Sequence, residues 1–166
     1  MQSKEQYLNL YRECRSLIGR HSAPVMNVLR DEAHDELLRM GFPTRQDEEY
    51  KYTDVEAIFF FFFGINLGRL VFLVNAYDVF KFDVPNMRTS LYFIVNDRFY
   101  MKALPKVALP EGVLLGSLKE IAEQYPDFVS KYYGQLADTR SNAITALNTM
   151  FAQDGLLLYV PKGVVV

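Results

Sequence analysis

The sequence predicts an α+β unit: an N-terminal helical hairpin followed by a small, mostly antiparallel β region with further helices. Three observations lead there. Apolar residues recur at steps of three and four over residues 4–40, the period of two amphipathic helices in series. Short β-branched and aromatic runs broken by turn residues fill residues 70–101. Capping signals then introduce helices again before the chain returns to a strand, turn, strand pattern at Leu156-Leu-Leu-Tyr-Val-Pro-Lys-Gly-Val-Val-Val166.

The elements follow in order. Tyr7, Leu10, Tyr11, Cys14, Leu17 and Ile18 form one helical stripe, with Gly19 as its stop. Ser22 and Pro24 read as the opening of a second helix with the stripe Val25, Met26, Leu29, Ala33, Leu37 and Met40, ended by Gly41. Thr53-Asp-Val-Glu56 has capping-box spacing for a short helix over residues 54–61, while the run Phe59–Phe63 reads equally as a buried strand. Leu70–Val74 and Val79–Phe82 are β in character. Ser90–Val95 and Phe99–Met101 flank Asn96-Asp97-Arg98, a hairpin turn. Pro105 and Pro110 bracket a loop before a short strand at Val113–Leu115. Ser117-Leu-Lys-Glu120 is a second capping box, Pro126 restarts a helix through Tyr133, and Ser141 or Asn142 caps a last helix with the stripe Ile144, Leu147, Met150 and Phe151. Asp154-Gly155 turns into the final strands. That bare β-branched end reads as a fragment cut where a β-rich domain begins, in preference to an edge strand that finds a partner.

Composition excludes several classes. Of 166 residues half are apolar, enough for one core, and the net charge of −2 implies no basic face for nucleic acid. The single cysteine cannot make an internal disulfide. The start, Met-Gln-Ser-Lys-Glu-Gln, lacks the apolar core of a signal peptide, and the longest apolar stretch, Ala57–Ile65, is too short to span a bilayer. These features suit a cytoplasmic protein with no membrane partner.

No residue set spells catalysis. Cys14 lies on an apolar stripe, where a free cysteine acts as a small hydrophobe. His21 and His34 lack zinc-ligand spacing, and His34 with Asp31 and Asp35 reads as a solvated helix face. Asp47, Glu48 and Glu49 are adjacent carboxylates that an enzymatic reading would join to His34 in an acid–base site, but in a polar loop they serve better as helix caps or partners of Arg and Lys. Gly64-Ile-Asn-Leu-Gly68 is no nucleotide fingerprint. Asn148 and Asp154 read as caps and turn-makers. Phe59–Phe63, with Phe72, Tyr77, Phe80 and Phe82, is either a core strand pair or a surface for self-association.

Two motifs carry a resemblance. Pro43, Thr44, Glu49, Lys51, Tyr52 and Thr53, with Tyr50 where tryptophan is usual, form the first. Ala146, Leu147, Asn148, Phe151, Asp154 and Gly155, followed by Val160-Pro-Lys-Gly163, form the second. In this order they resemble the N-terminal part of the SufB/SufD family of iron–sulfur cluster assembly scaffolds, and Leu109-Pro-Glu-Gly112 with the hairpin before it resembles SufD more than SufB. The resemblance implies a non-catalytic scaffold subunit acting by protein–protein contact. Its partners would be a SufB-like subunit and a SufC-like ATPase, through which ATP and cluster assembly enter, with no cofactor in this part. It implies three regions: a hairpin at 1–41, an α/β body at 42–154, and at 155–166 the first strands of a parallel β-helix core. The family's cluster and SufC-binding residues lie in that core and beyond, so none is carried over. The motif residues are expected to be structural or to contact partners. If 43–53 is extended, Glu49 and Lys51 share one face while Tyr50 and Tyr52 pack onto the hairpin from the other. An aromatic self-association module unrelated to cluster assembly is the alternative from another class.

Overall fold

The computed structural model describes residues 3–61, 64, 75, 78, 90–95, 98–100 and 108–166. Helix α1 spans Ser3–His21, a 3-10 turn spans Pro24–Asn27, and α2 spans Arg30–Met40. A second 3-10 turn covers Glu48–Tyr50, and α3 covers Val55–Phe60. Strands β1 (Ile94–Val95) and β2 (Arg98–Phe99) precede β3 (Leu114–Ser117), α4 (Leu118–Gln124), α5 (Pro126–Val129), α6 (Ala143–Phe151) and β4 (Leu156–Tyr159). The fold is therefore mixed helix and antiparallel sheet, as the sequence predicts.

Two apolar clusters hold it. In the first, Tyr7, Leu8, Tyr11 and Ile18 of α1 meet Ala33 and Leu37 of α2 and Ala143, Ala146, Leu147 and Met150 of α6. The N-terminal hairpin thus completes its core with a helix more than a hundred residues away, and α2 packs more extensively on α6 than on α1. Leu8, absent from the predicted stripe, is fully buried, whereas Leu17 is exposed. The second cluster sets Ala23 and Met26 of the first 3-10 turn against Ile121, Ala122 and Val129 of α4 and α5.

Several local expectations are corrected. Gly19 does not stop α1, which runs on to His21; Gly19 lacks the positive φ of a helix stop, and its carbonyl accepts from Asn27 Nδ2 (3.1 Å). Ser22 does not open α2. Its Oγ donates back to Ile18 O (2.7 Å), and Pro24 starts only one 3-10 turn. Gly41 does end α2: its φ of 72° is open to glycine, and its N–H donates to Leu37 O. The cap of α3 is Asp54, not Thr53, accepting from Ala57 N (2.9 Å). Glu56 is thereby free to accept from Ser3 N (2.9 Å), which docks α3 on the start of α1. Phe59 and Phe60 are helical, not strand; Phe61 caps the helix, and residues 62–63 lie outside the described set. The expected strands at 70–74 and 79–82, Pro105, Met101 and the turn residues 96–97 also lie outside it.

Of the expected hairpins, the one over residues 90–101 is present in a shortened form: residues 90–93 are not strand, and Arg98, expected in the turn, belongs to β2. Ile94 pairs with Phe99 and Val95 with Arg98, antiparallel. Strand β3 starts one residue later than Val113 and pairs antiparallel with β4, Leu114 opposite Tyr159 and Ser117 opposite Leu156. Ser117 caps α4 as expected, accepting from Glu120 N (3.1 Å). The helix begun at Pro126 is shorter than predicted, ending at Val129 and giving way to turns before Gly134. Val164–Val166 is not a second strand; Val164 N closes a turn onto Pro161 O (3.1 Å).

A buried guanidinium joins the two clusters. Arg30 is 2% exposed and all five of its N–H donors are used. Nε donates to Asn27 Oδ1 (2.8 Å), and Nη1 to Thr149 O (3.0 Å) and Met150 O (2.8 Å). Nη2 donates to Ser22 Oγ (2.8 Å) and Ala152 O (2.5 Å). Three acceptors are carbonyls at the C-terminal end of α6, the negative end of that helix. Burial pushes the guanidinium pKa down from its ordinary value. Beside it, Tyr11 Oη donates to Asp31 Oδ1 (2.8 Å) and Arg15 forks onto both Asp31 oxygens. The Arg15 bonds, ahead of the one from Tyr11, hold the Asp31 carboxyl down at about 2. Burial, then the bond to Asp31, pushes the Tyr11 hydroxyl up to about 12.

Replacing Arg30 by Met is expected to lower the free energy of unfolding by about 3–5 kcal/mol, since buried acceptors lose their donors. Arg30→Lys, with three donors in place of five, should recover only part of it. Urea denaturation measures both; a loss under about 1 kcal/mol for Arg30→Met would remove Arg30 from this role. A second expectation concerns acid. Asp31 titrates lower in the folded than in the unfolded chain, so its stabilisation is present above pH 3.8 and is lost as pH falls from 3.8 towards 2. Asp31 is more than half exposed, so the effect is small. The thermal midpoint of Asp31→Asn should show a shallower fall across that window than the wild type.

Candidate functional site

The first motif is a coil of turns, not an extended strand. Asp47 N donates to Thr44 O (3.0 Å), Tyr50 N to Asp47 O (2.9 Å) and Thr53 N to Tyr50 O (2.8 Å), three successive i to i+3 closures. Asp47 starts it: its Oδ2 accepts from Thr44 N (2.7 Å) and Thr44 Oγ1 (3.2 Å). Coiling rearranges the expected faces. Lys51 pairs with Glu48 rather than standing beside Glu49, and its Nζ lies 5.2 Å from the ring centre of Tyr52. Tyr50 turns inward, where its Oη accepts from Asn142 Nδ2 (3.0 Å). Tyr52 does not pack on the hairpin; it is 90% exposed. Glu49 is exposed and makes no hydrogen bond or ion pair among the described residues. Pro43 is half-buried, two residues after Gly41.

The second motif forms α6 and its exit. Ala146 and Leu147 are core. Asn148 is exposed and contributes its carbonyl to Ala152 N (2.8 Å). Phe151 stands edge-on to Tyr7 (6.4 Å) and Tyr11 (6.1 Å) in an aromatic group that also holds Phe42 and Phe59, stacked at 5.0 Å. The N-cap is Asn142, whose Oδ1 accepts from Ile144 N (2.9 Å) and Thr145 N (3.0 Å), so the same side chain that caps α6 donates to Tyr50. The two motifs meet at this residue.

Asp154 does more than make a turn. Its Oδ1 accepts from Ser117 Oγ (2.7 Å) and Lys119 N (3.0 Å), and its Oδ2 from Phe99 N (3.1 Å). One carboxylate therefore ties β2 and the start of α4 to the exit of α6. Gly155 O accepts from Leu118 N (2.9 Å). Gly112 has φ 81°, and a Cβ there would stand 3.0 Å from Pro161 Cγ, so Leu109–Gly112 and Val160–Gly163 close on one another at the end of the β3–β4 pair.

The catalytic candidates are not assembled. Asp47 is engaged by Thr44 and Glu48 by Lys51. His34 does not lie on a solvated face: its ring stacks on Tyr11 at 5.4 Å, its side chain is 12% exposed, and Nδ1 lies 3.0 Å from Asp35 Oδ1. Asp31 points instead to Arg15 and Tyr11, and among the described residues no group of three His, Cys, Asp or Glu side chains could hold a metal ion. Cys14 is half-buried against the first cluster. Arg30 escapes sequence reasoning, although one signal was present: a charge in the middle of the stripe Met26, Arg30, Ala33, Leu37. Among the described residues no helix is long and apolar enough to cross a membrane.

The junction of the motifs yields an expectation. Tyr50→Phe should cost about 0.5–1.5 kcal/mol and Asn142→Ala about 1–2 kcal/mol. Their double-mutant cycle by chemical denaturation should show coupling of about 0.5 kcal/mol or more, and strict additivity would mean that the two motifs are not joined here.

A family model described as the SufBD protein N-terminal region matches residues 1–166. An iron–sulfur cluster assembly SufBD family protein of Synechocystis sp. is 39% identical over 54 residues, 32% of this chain and 11% of the relative. One of Arabidopsis thaliana is 39% identical over 51 residues, 31% of this chain and 11% of the relative, and one of Porphyra purpurea is 35% identical over 54 residues, 32% and 11%. The matched stretch spans about a tenth of the length of these curated relatives. No solved structure matches the chain significantly. With the family model matching from end to end, the chain belongs to the SufBD family, as its N-terminal region.

Proposed function

We propose that this region serves iron–sulfur cluster assembly as a scaffold element of a SufD-like subunit, working by protein–protein contact and catalysing nothing itself. The family match along residues 1–166 carries the reading. The motif geometry supports it: buried members hold the unit together while Tyr52 and Glu49 stand out from its surface. An exposed tyrosine beside a lysine and an unpaired carboxylate is suited to a contact, since aromatic residues carry much of the energy of interfaces. SufD is preferred to SufB on the resemblance carried by Leu109–Gly112 and the hairpin before it; of these, Gly112 stands against Pro161 at the end of the β3–β4 pair. In this reading the partners are a SufB-like subunit and a SufC-like ATPase in the cytoplasm. ATP acts through the latter, the cluster is cargo, and the parallel β-helix core follows the antiparallel β3–β4 pair.

Two measurements test it. Anaerobic reconstitution with iron and sulfide should leave no stoichiometric chromophore on this chain; a robust one overturns the proposal. Binding to a SufB-like subunit should be saturable in calorimetry and fall by about tenfold in Tyr52→Ala, with the thermal midpoint unchanged. No binding, or binding indifferent to position 52, counts against contact through this motif. Exposed Ile58, Phe60 and Phe61 favour self-association as a second reading. Sedimentation giving a monomer mass at every concentration would exclude it.

A further inference from the structure

A cleft of ≈ 230 Å³ opens between the C-terminal half of α1 and the turn that leads into α2. Its walls are Tyr11, Arg15, Ser16, Gly19, Arg20, Asn27 and Arg30. Three arginines line it, and no carboxylate does. Asp31, next to the cleft, neutralises Arg15. Arg30 spends its five donors on carbonyls, an amide oxygen and a hydroxyl, all uncharged, so its charge is met by dipoles only. Arg20 is exposed and makes no hydrogen bond or ion pair among the described residues. The cleft therefore carries two positive charges without a carboxylate partner, in a chain whose net charge is −2.

Donors are also to hand. The fork on Asp31 uses Arg15 Nε and Nη2 and leaves Nη1 unengaged among the described residues. The Arg20 guanidinium and the exposed Ser16 hydroxyl share the same rim. Carbonyls at the end of α1 would repel an anion, but two of them are already covered, Ile18 O by Ser22 Oγ and Gly19 O by Asn27 Nδ2. Recessed positive charge focuses its field on the opening, and guanidinium forks suit planar or tetrahedral oxyanions. The volume is below the roughly 300–1,000 Å³ of pockets for drug-sized molecules, which suits a small group.

We propose that this cleft is a binding site for an oxyanion, a carboxylate or phosphate group, held by Arg20 and Arg15 Nη1 in the field of buried Arg30. It is distinct from the contact motif at 43–53 and does not depend on its role. Titration of the wild-type chain with inorganic phosphate and, separately, with succinate, followed by backbone amide NMR, tests it. At least one should saturate with a Kd on the order of 1 mM, with shifts centred on Ser16, Gly19 and Asn27. Saturation by phosphate alone assigns the site to phosphate-bearing ligands, and by succinate alone to carboxylates. Arg20→Gln should weaken binding about tenfold. Arg12→Gln makes the same charge change on α1 away from the cleft and should leave binding unaltered. Equal weakening by both variants, shifts centred elsewhere, or no saturation by either anion at about 10 mM, tenfold above the expected Kd, overturns the proposal.

Discussion

The guanidinium of Arg30 is the constraint on which the rest of this unit depends. A buried cation is ordinarily neutralised by a carboxylate. Here it faces the C-terminal end of a helix, taking the carbonyls of Thr149, Met150 and Ala152, which make no backbone hydrogen bond among the described residues. Two deficits cancel: the helix end needs donors and the buried arginine needs acceptors. Because Nε and Nη2 also hold Asn27 and Ser22, the position of α6 is set relative to both the α1 exit and the α2 entry. A lysine could not do this, since an ammonium has only three donors for the five acceptors that Arg30 serves.

Helix α6 is in this way held at both ends by residues remote in sequence. Its first turn is capped by Asn142, which reaches Tyr50; its last turn is capped by Arg30; and Asp154, just beyond it, gathers Phe99, Ser117 and Lys119. Its apolar face supplies Ala146, Leu147 and Met150 to the cluster shared with α1 and α2. Small residues at 143 and 146 let α2 approach closely. The second motif is thus a list of the positions that join the helical part to the sheet: close packing from Ala146, ring contact from Phe151, and the branching hydrogen bonds of Asp154.

What was legible in the sequence was what is decided locally. Gly41 ends α2, Ser117 caps α4 and Asn142 caps α6, because each cap bonds to backbone groups within four residues of itself: the Leu37 carbonyl for Gly41, and backbone N–H groups for Ser117 and Asn142. What was not legible was decided across the fold. Gly19 is a possible stop by composition, but Asn27 stabilises the helix through it. Thr53 has capping-box spacing with Glu56, yet Glu56 is taken by Ser3 and the cap falls to Asp54. His34 lies on the polar side of its own helix, yet Tyr11 of α1 stacks on it and its side chain is only 12% exposed. The motif at 43–53 was recognisable by identity, while its coiled shape, which separates Tyr50 from Tyr52, follows from the Thr44–Asp47 turn.

Position 50 shows how such a motif can vary without losing its place. The family resemblance puts tryptophan there, and this chain has tyrosine. The two rings are similar in bulk, but their polar atoms are not: an indole N–H only donates, whereas a phenol oxygen also accepts. In this structure the acceptor is what counts, because Asn142 must present its Oδ1 to Ile144 N and Thr145 N, which leaves Nδ2 as a donor facing residue 50. A tryptophan at this site would set donor against donor and leave the amide without its partner, unless residue 142 were a cap lacking an N–H, such as aspartate or serine. The identity of residue 50 is therefore tied to that of residue 142, ninety-two positions along the chain. The joint between the two motifs is specified by this pair rather than by either residue alone.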